Sequence, residues 1–394
     1  MKHLLSTLIC CAFMIFSTIN LEAQWQSVNI VVANNKAVSC MANSDTTLFA
    51  GTNGSGIYLS ADNGATWTES NTGLGNLVVN ALAVSGTNIL AGTSGGLFLS
   101  VDNGSSWSNV KSGEIRSLAV RGTDAFAGST SGVYMSANSG FNWTSINNGA
   151  MLSSYFVYGL AVSDTNVFAG TIGGEGVFLT TNNGAGWTAA GAGLNNKAIK
   201  QLTMNDTNIY ALTNLSGIYF SRYNGTSWTG WAKITTLLSA SPMSLALSGT
   251  TIYTGALSDG IYSSDDNGAS WSAFNDGWPQ STTASNLFLI ETDLYAAPAT
   301  GLWKRSLTTG MEEINGSLKM AVYPNPAHDK IAIESNQLGK ESSLSLYNLS
   351  GQIVSYQLIK DKKTQIDIRN LPVGVYFIKL VNEKTVRVCK FIRE

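Results

Sequence analysis

The chain has 394 residues, of which 12% are charged, a formal net charge of −2, 40 glycines and two histidines. That length can bury a sizeable core, and the acidic balance argues against a nucleic-acid partner, which calls for a clustered basic surface. His3 and His328 both lie outside the long middle of the chain. Ser-His-Asp, Cys-His and His-based zinc chemistry are thereby excluded from it.

In chain order, Lys2 and His3, an apolar stretch from Leu4 to Ile19 and the small residue Ala23 read as a secretory signal over residues 1–23. Cleavage after Ala23 leaves Gln24 first and implies export to the periplasm. Cys10 and Cys11 raise a lipoprotein reading, disfavoured because Cys and not Gly or Ala precedes Cys11. Cys40 and Cys389 then remain, expected in different modules, so no disulfide framework is anticipated.

From Trp25 to Leu307 one pattern recurs at about forty residues. A glycine leads a short apolar run at Gly56, Gly96, Gly132, Gly176, Gly217, Gly260 and, degraded, Gly301. Six copies continue as Ser-x-Asp-x-Gly-x-Thr-Trp, ending at Trp67, Trp107, Trp143, Trp187, Trp228 and Trp271. The acidic position is Asp62, Asp102 and Asp266, softened to Asn138 and Asn182 and lost at Tyr223. A side-chain oxygen there can accept backbone N–H bonds, Gly can take φ > 0 and Trp adds a large apolar body, so the motif reads as a structural fastener. Two further apolar runs per copy, the second ending Ala-Gly-Thr or similar, make four strands per repeat, the signature of a β-propeller blade. Seven third strands but six complete turns imply that Trp25–Val28 supplies the fourth strand of the last of seven blades. The expected class is therefore all-β, a seven-bladed propeller over residues 24–307 closed by the N-terminal strand.

These motifs resemble the Asp-box (BNR) repeat proteins, which include sialidases, xyloglucan-degrading propellers, sortilin-type receptors and photosystem assembly factors. The resemblance implies that the Asp boxes lie between third and fourth strands, away from the usual binding face.

After a polar linker, residues 308–318, the composition changes. Residues 1–318 carry 11 basic against 18 acidic residues, net −7, and residues 319–394 carry 12 against 7, net +5. Alternating runs at 330–334, 343–347, 365–368, 375–380 and 387–392 suggest a small antiparallel β-sandwich. Val322-Tyr323-Pro324-Asn325-Pro326, Leu346-Tyr347-Asn348-Leu349-Ser350-Gly351, Leu371-Pro372-Val373-Gly374-Val375-Tyr376 and a basic last strand resemble, in order, the C-terminal sorting domain of the type IX (Por) secretion system. The resemblance implies a Gram-negative source in the Bacteroidetes, the type IX machinery as partner through residues 319–394, and release or attachment to surface lipopolysaccharide after removal of the domain. Cys389 departs from that pattern.

The propeller offers little chemistry. Its four arginines, Arg116, Arg121, Arg222 and Arg305, are too scattered for the triad that the sialidase resemblance would require. A glycosidase needs only two carboxylates about 5–10 Å apart, and Glu69, Glu114, Glu175 and Asp276 could reach the loop-rich face. No metal or cofactor site is expected; Asp265-Asp266-Asn267-Gly268 lacks the twelfth-position Glu of a calcium loop. Trp231 and Trp278 lie outside the repeated Trp position and, with Tyr155 and Phe156, are candidates for stacking on a sugar or touching a protein. The expectation is a non-catalytic propeller, secreted or on the outer-membrane surface, that binds a glycan or protein. A polysaccharide hydrolase with paired carboxylates on the loop face is the alternative, and a purely structural surface component a third reading.

Overall fold

The computed structural model describes residues 24–148, 156–163, 165–172, 176–194, 197–205, 207–214, 216–224, 226–234, 241–307, 320–335, 342–348, 353–359, 361, 363–381 and 386–394. The signal segment and the linker lie outside them. The chain divides into two units, Met1–Leu307 and Thr308–Glu394.

The first unit holds seven four-stranded antiparallel sheets among its described residues. Sheet 1 runs Val38–Ser44, Thr47–Thr52, Ile57–Ser60 and Thr68–Glu69. Sheets 2 to 6 follow with the same order, their first strands being Val79–Ser85, Ile115–Arg121, Phe156–Val162, Ile199–Met204 and Pro242–Ser248. Sheet 7 has Asn286–Ile290, Asp293–Ala297 and Leu302–Ser306, and its fourth strand is Gln26–Val28, which pairs Gln26 with Lys304 and Val28 with Leu302. Each first strand packs on the first strand of the next sheet, and that of sheet 7 packs on that of sheet 1.

Sequence explains the close approach. In the Ala-Gly-Thr runs the second strand is wholly buried, and a Cβ on Gly51, Gly92 or Gly128 would come within 2.7–2.8 Å of Val79, Ile115 or Val157 on the next sheet. Only glycine lets the sheets nest at this distance. The threonine then turns the chain: Thr52 Oγ1 donates to Gly56 O at 2.8 Å, as Thr93 does to Gly96 and Thr213 to Gly217.

The Asp boxes join the third and fourth strands. In the first, Asp62 accepts from Ser60 Oγ (2.8 Å), Thr66 N (2.8 Å) and Thr66 Oγ1 (2.6 Å), while Ser60 Oγ accepts from Gly64 N (2.8 Å). Asp102 and Asp266 repeat this network, and Asn138 and Asn182 keep the bonds to the backbone and the leading hydroxyl. The residue after the acid is left-handed as well as the glycine, with φ 55° at Asn63 and 89° at Gly64, which is why Asn recurs there. That residue also grips the preceding sheet: Asn103 Nδ2 donates to Thr47, Arg121 donates to Asn183 Oδ1 at 2.7 Å, and Asn267 Oδ1 accepts from Asn208 and Tyr210.

These bonds favour the carboxylate form and hold Asp62 and Asp266 down to about 2 from an ordinary 3.8; Asp102 is lowered by the same cause. A folded pKa below the unfolded one means stability that is present above pH 4 and lost as pH falls toward 2. Acid unfolding followed by intrinsic fluorescence should therefore flatten between roughly pH 4 and 2 in Asp62→Asn and Asp266→Asn, because Asn138 and Asn182 already make such turns without titrating. An unchanged profile would contradict this role.

Among its described residues the second unit has seven strands where the alternation predicts five. Met320–Tyr323, Lys330–Ser335 and Lys363–Asp367 form one antiparallel sheet. The other runs in the order Ile353–Ile359, Ser342–Tyr347, Gly374–Val381, Val386–Arg393. Ile331, Ile333 and Ile366 from the first meet Leu344, Leu346, Ile378 and Phe391 from the second in one core. Ile353–Ile359 escapes the pattern because Ile353, Val354, Tyr356 and Leu358 are exposed, so its apolar residues mark no buried face.

Candidate functional site

Trp231 and Trp278, expected as free aromatic platforms, are only 7% exposed. This corrects the sequence reading, and the strand boundaries give the reason. A tryptophan immediately precedes the fourth strand in all seven sheets: Trp67, Trp107, Trp143, Trp187, Trp231, Trp271 and, for sheet 7, Trp25. Trp231, and not Trp228, holds the repeat position in sheet 5, whose fourth strand is Ala232–Lys233; three extra residues follow a decayed box. Trp228 instead packs edge-on against Phe168, with centroids 5.0 Å apart.

Four of these indoles clasp the preceding sheet. The Nε1 of Trp107, Trp187, Trp231 and Trp25 donates to the carbonyls of Ser70, Ile146, Ala190 and Phe274 at 2.9, 2.6, 2.7 and 2.7 Å. The accepting segments share a pattern, Asn71-Thr72-Gly73-Leu74, Gly191-Ala192-Gly193-Leu194 and Asn275-Asp276-Gly277-Trp278. Their second residue accepts from the tryptophan backbone N–H, and a Cβ on the positive-φ glycine would collide with the tryptophan carbonyl. Trp278 is thus the counterpart of buried Leu74 and Leu194. Its ring packs on Trp25, 5.3 Å away, and its Nε1 donates to Thr282 O at 3.1 Å.

Among the remaining candidates, Phe156 is 48% exposed at the start of the first strand of sheet 4. The side chain of Asp276 is 66% exposed and 3.8 Å from Arg305 Nη2, itself buried with its guanidinium 3.5 Å from the Phe274 ring centre. Tyr155 and Glu175 lie outside the described residues. The thiol of Cys40 is free and buried, and burial pushes its pKa up to about 12. Nothing is described for the Cys389 side chain.

The residues that do converge carry no motif. In six sheets the first strand bulges near its start, at Ser39, Asn80, Arg116, Tyr158, Lys200 and Met243. A β-bulge re-aims a side chain out of the alternating pattern. All six line one cavity of about 290 Å³, joined by Asn286 and Phe288 of sheet 7, at the end of the sheets opposite the Asp boxes. Periodicity cannot reveal them, because a bulge breaks the period of two on which strand reading depends.

Several of these side chains bond the neighbouring sheet around the cavity. Ser39 Oγ donates to Val79 O (2.5 Å), Asn80 Nδ2 to Ile115 O (2.9 Å), Lys200 Nζ to Met243 O (2.8 Å) and Asn286 Nδ2 to Val38 O (3.1 Å). Arg116 lies over the Tyr158 ring at 5.1 Å and is ion-paired through Nη2 to Glu114. Lys200 is exposed at the mouth, yet the surrounding walls desolvate its ammonium and lower its pKa. Among the described residues the lining contains Arg116 and Lys200 and no Asp or Glu. Arg116 lies here, Arg121 at the box end and Arg305 on Phe274, so these arginines do not converge.

Residues 321–394 match the secretion system C-terminal sorting domain, and residues 13–121 match the DUF6242 beta propeller domain. The chain joins a β-propeller to a secretion-system sorting domain. The sorting domain, of the Por type, marks a secreted or cell-surface protein exported by type IX secretion. No curated protein sequence matches the chain. Among solved structures, YCF48 from Cyanidioschyzon merolae is similar with a TM-score of 0.57 at 17% identity, over 72% of this chain and 98% of that one. The Niastella koreensis GH74 enzyme gives 0.55 at 12%, over 93% and 74%. The GH74 xyloglucanase from Xanthomonas campestris gives 0.55 at 12%, over 79% and 59%. At these identities the propeller fold is what is shared.

Proposed function

We propose that this protein is a seven-bladed Asp-box propeller, closed by its N-terminal strand, that leaves the cell by type IX secretion and binds a partner without catalysis. A cleaved signal over residues 1–23 would take it to the periplasm, and the sorting domain would engage the type IX machinery for the second step. The observation that carries the binding reading is the cavity lining: five of the six bulges present a hydrogen-bond donor, two of them cationic, with no carboxylate among the described lining residues. A retaining or inverting glycosidase needs two carboxylates flanking one bond. Of the four sequence candidates, Glu69, Glu114 and Asp276 are not on this lining, Asp276 lying 3.8 Å from Arg305, and Glu175 is outside the described residues.

The test is a screen of the mature chain, residues 24–394, against polysaccharide and surface-protein arrays, reading retention and released reducing ends together. Retention without new reducing ends, lost in Arg116→Gln, supports the reading. Released sugar that depends on Asp276 would replace it with a hydrolase.

A further inference from the structure

We propose that the cavity ringed by the first strands is a carboxylate-binding site and that its occupant is an acidic peptide segment. This deepens the binding reading above and rests on it. Arg116 gives one edge of its guanidinium to Glu114, but its Nε is buried with no protein partner, and so is the Oγ of Ser117 beside it. Lys200 spends one donor on Met243 O and keeps others for a guest. Among the described residues two cations thus face the cavity against one carboxylate, Glu114, which touches Arg116 but does not line the wall. What a guest can reach is the exposed part of the Arg116 side chain and the remaining Lys200 donors, and an anionic acceptor suits both.

The walls favour a peptide over a sugar. Met41, Leu82, Leu160 and Leu202 line the cavity alongside the polar groups, a surface suited to the methylene groups of a side chain. Sugar recognition favours broad aromatic faces, and of the two rings on the described wall Tyr158 is covered by Arg116 and Phe288 is half-buried.

Fluorescence anisotropy of labelled hexaglutamate with the mature chain, at low and at physiological salt, tests this. Binding should weaken about tenfold in Arg116→Gln and in Lys200→Gln, as expected for the loss of one charge-assisted hydrogen bond at a partly exposed site. Arg116→Lys should restore part of it, and Lys233→Gln, an exposed lysine outside the lining, should change nothing. Thermal midpoints of the variants show whether each is folded. Hexaglutamate binding indifferent to Arg116 and Lys200 would overturn the site. Tighter capture of trigalacturonate or of a neutral Gly-Ser peptide, still lost in Arg116→Gln, would overturn the acidic-peptide assignment while leaving the binding reading intact. No response of any probe to either variant, together with an unaltered array result for Arg116→Gln, would overturn both.

Discussion

Trp25→Ala is expected to destabilise the propeller by about 3–5 kcal/mol, the range for emptying a buried aromatic site. The ring is 3% exposed and packs edge-on against Phe274 and Trp278 at 6.3 and 5.3 Å. Its Nε1 donates to Phe274 O at 2.7 Å and its backbone N–H to Asp276 O at 2.8 Å, so one residue ties the fourth strand of sheet 7 to sheet 6. Against a total stability of about 5–15 kcal/mol, that loss leaves a marginal fold. Trp231→Ala, at the equivalent position of sheet 5, should fall in the same range, whereas half-buried Trp228→Ala should cost clearly less. Urea unfolding monitored by circular dichroism measures all three. Equal small losses, or a larger effect at Trp228 than at Trp231, would contradict the assignment of the repeat position.

The second large effect concerns destination. Deleting residues 319–394 removes the whole matched sorting domain, residues 321–394. The truncated chain is expected to stay inside the outer membrane, and cell-surface protease accessibility and culture-medium immunoblots measure this. The propeller unit carries its own cores, with clusters around Phe49, Phe126, Phe168 and Tyr210, and so should remain folded when retained. Export of the truncated chain at the full-length rate would contradict the role of the tail.

The parts legible in the sequence are those where one residue does one geometric job many times. Asp62 and Gly64 are readable because a side-chain oxygen and a left-handed backbone recur at the same place in five of the six turns. The Gly51 and Gly92 positions recur for a similar reason, since any side chain there would strike the next sheet. Trp231 and Trp278 misled because three extra residues in sheet 5 shift the register, and because Trp278 fills a place held elsewhere by Leu74 and Leu194. The cavity was not legible at all. Ser39, Asn80, Arg116, Tyr158, Lys200 and Met243 share no residue type, only a bulge, and a bulge is a property of pairing between strands.

Partner binding is expected in this cavity, and filling it is the direct test. Met243→Trp places a larger apolar ring in a space of about 290 Å³ from a half-buried position on its wall. Retention of the variant on the array should be lost while its unfolding free energy from urea titration falls by no more than about 1–3 kcal/mol, the usual cost of a larger side chain in a packed site. Full retention by a folded Met243→Trp protein would show that the partner binds elsewhere and would contradict the account.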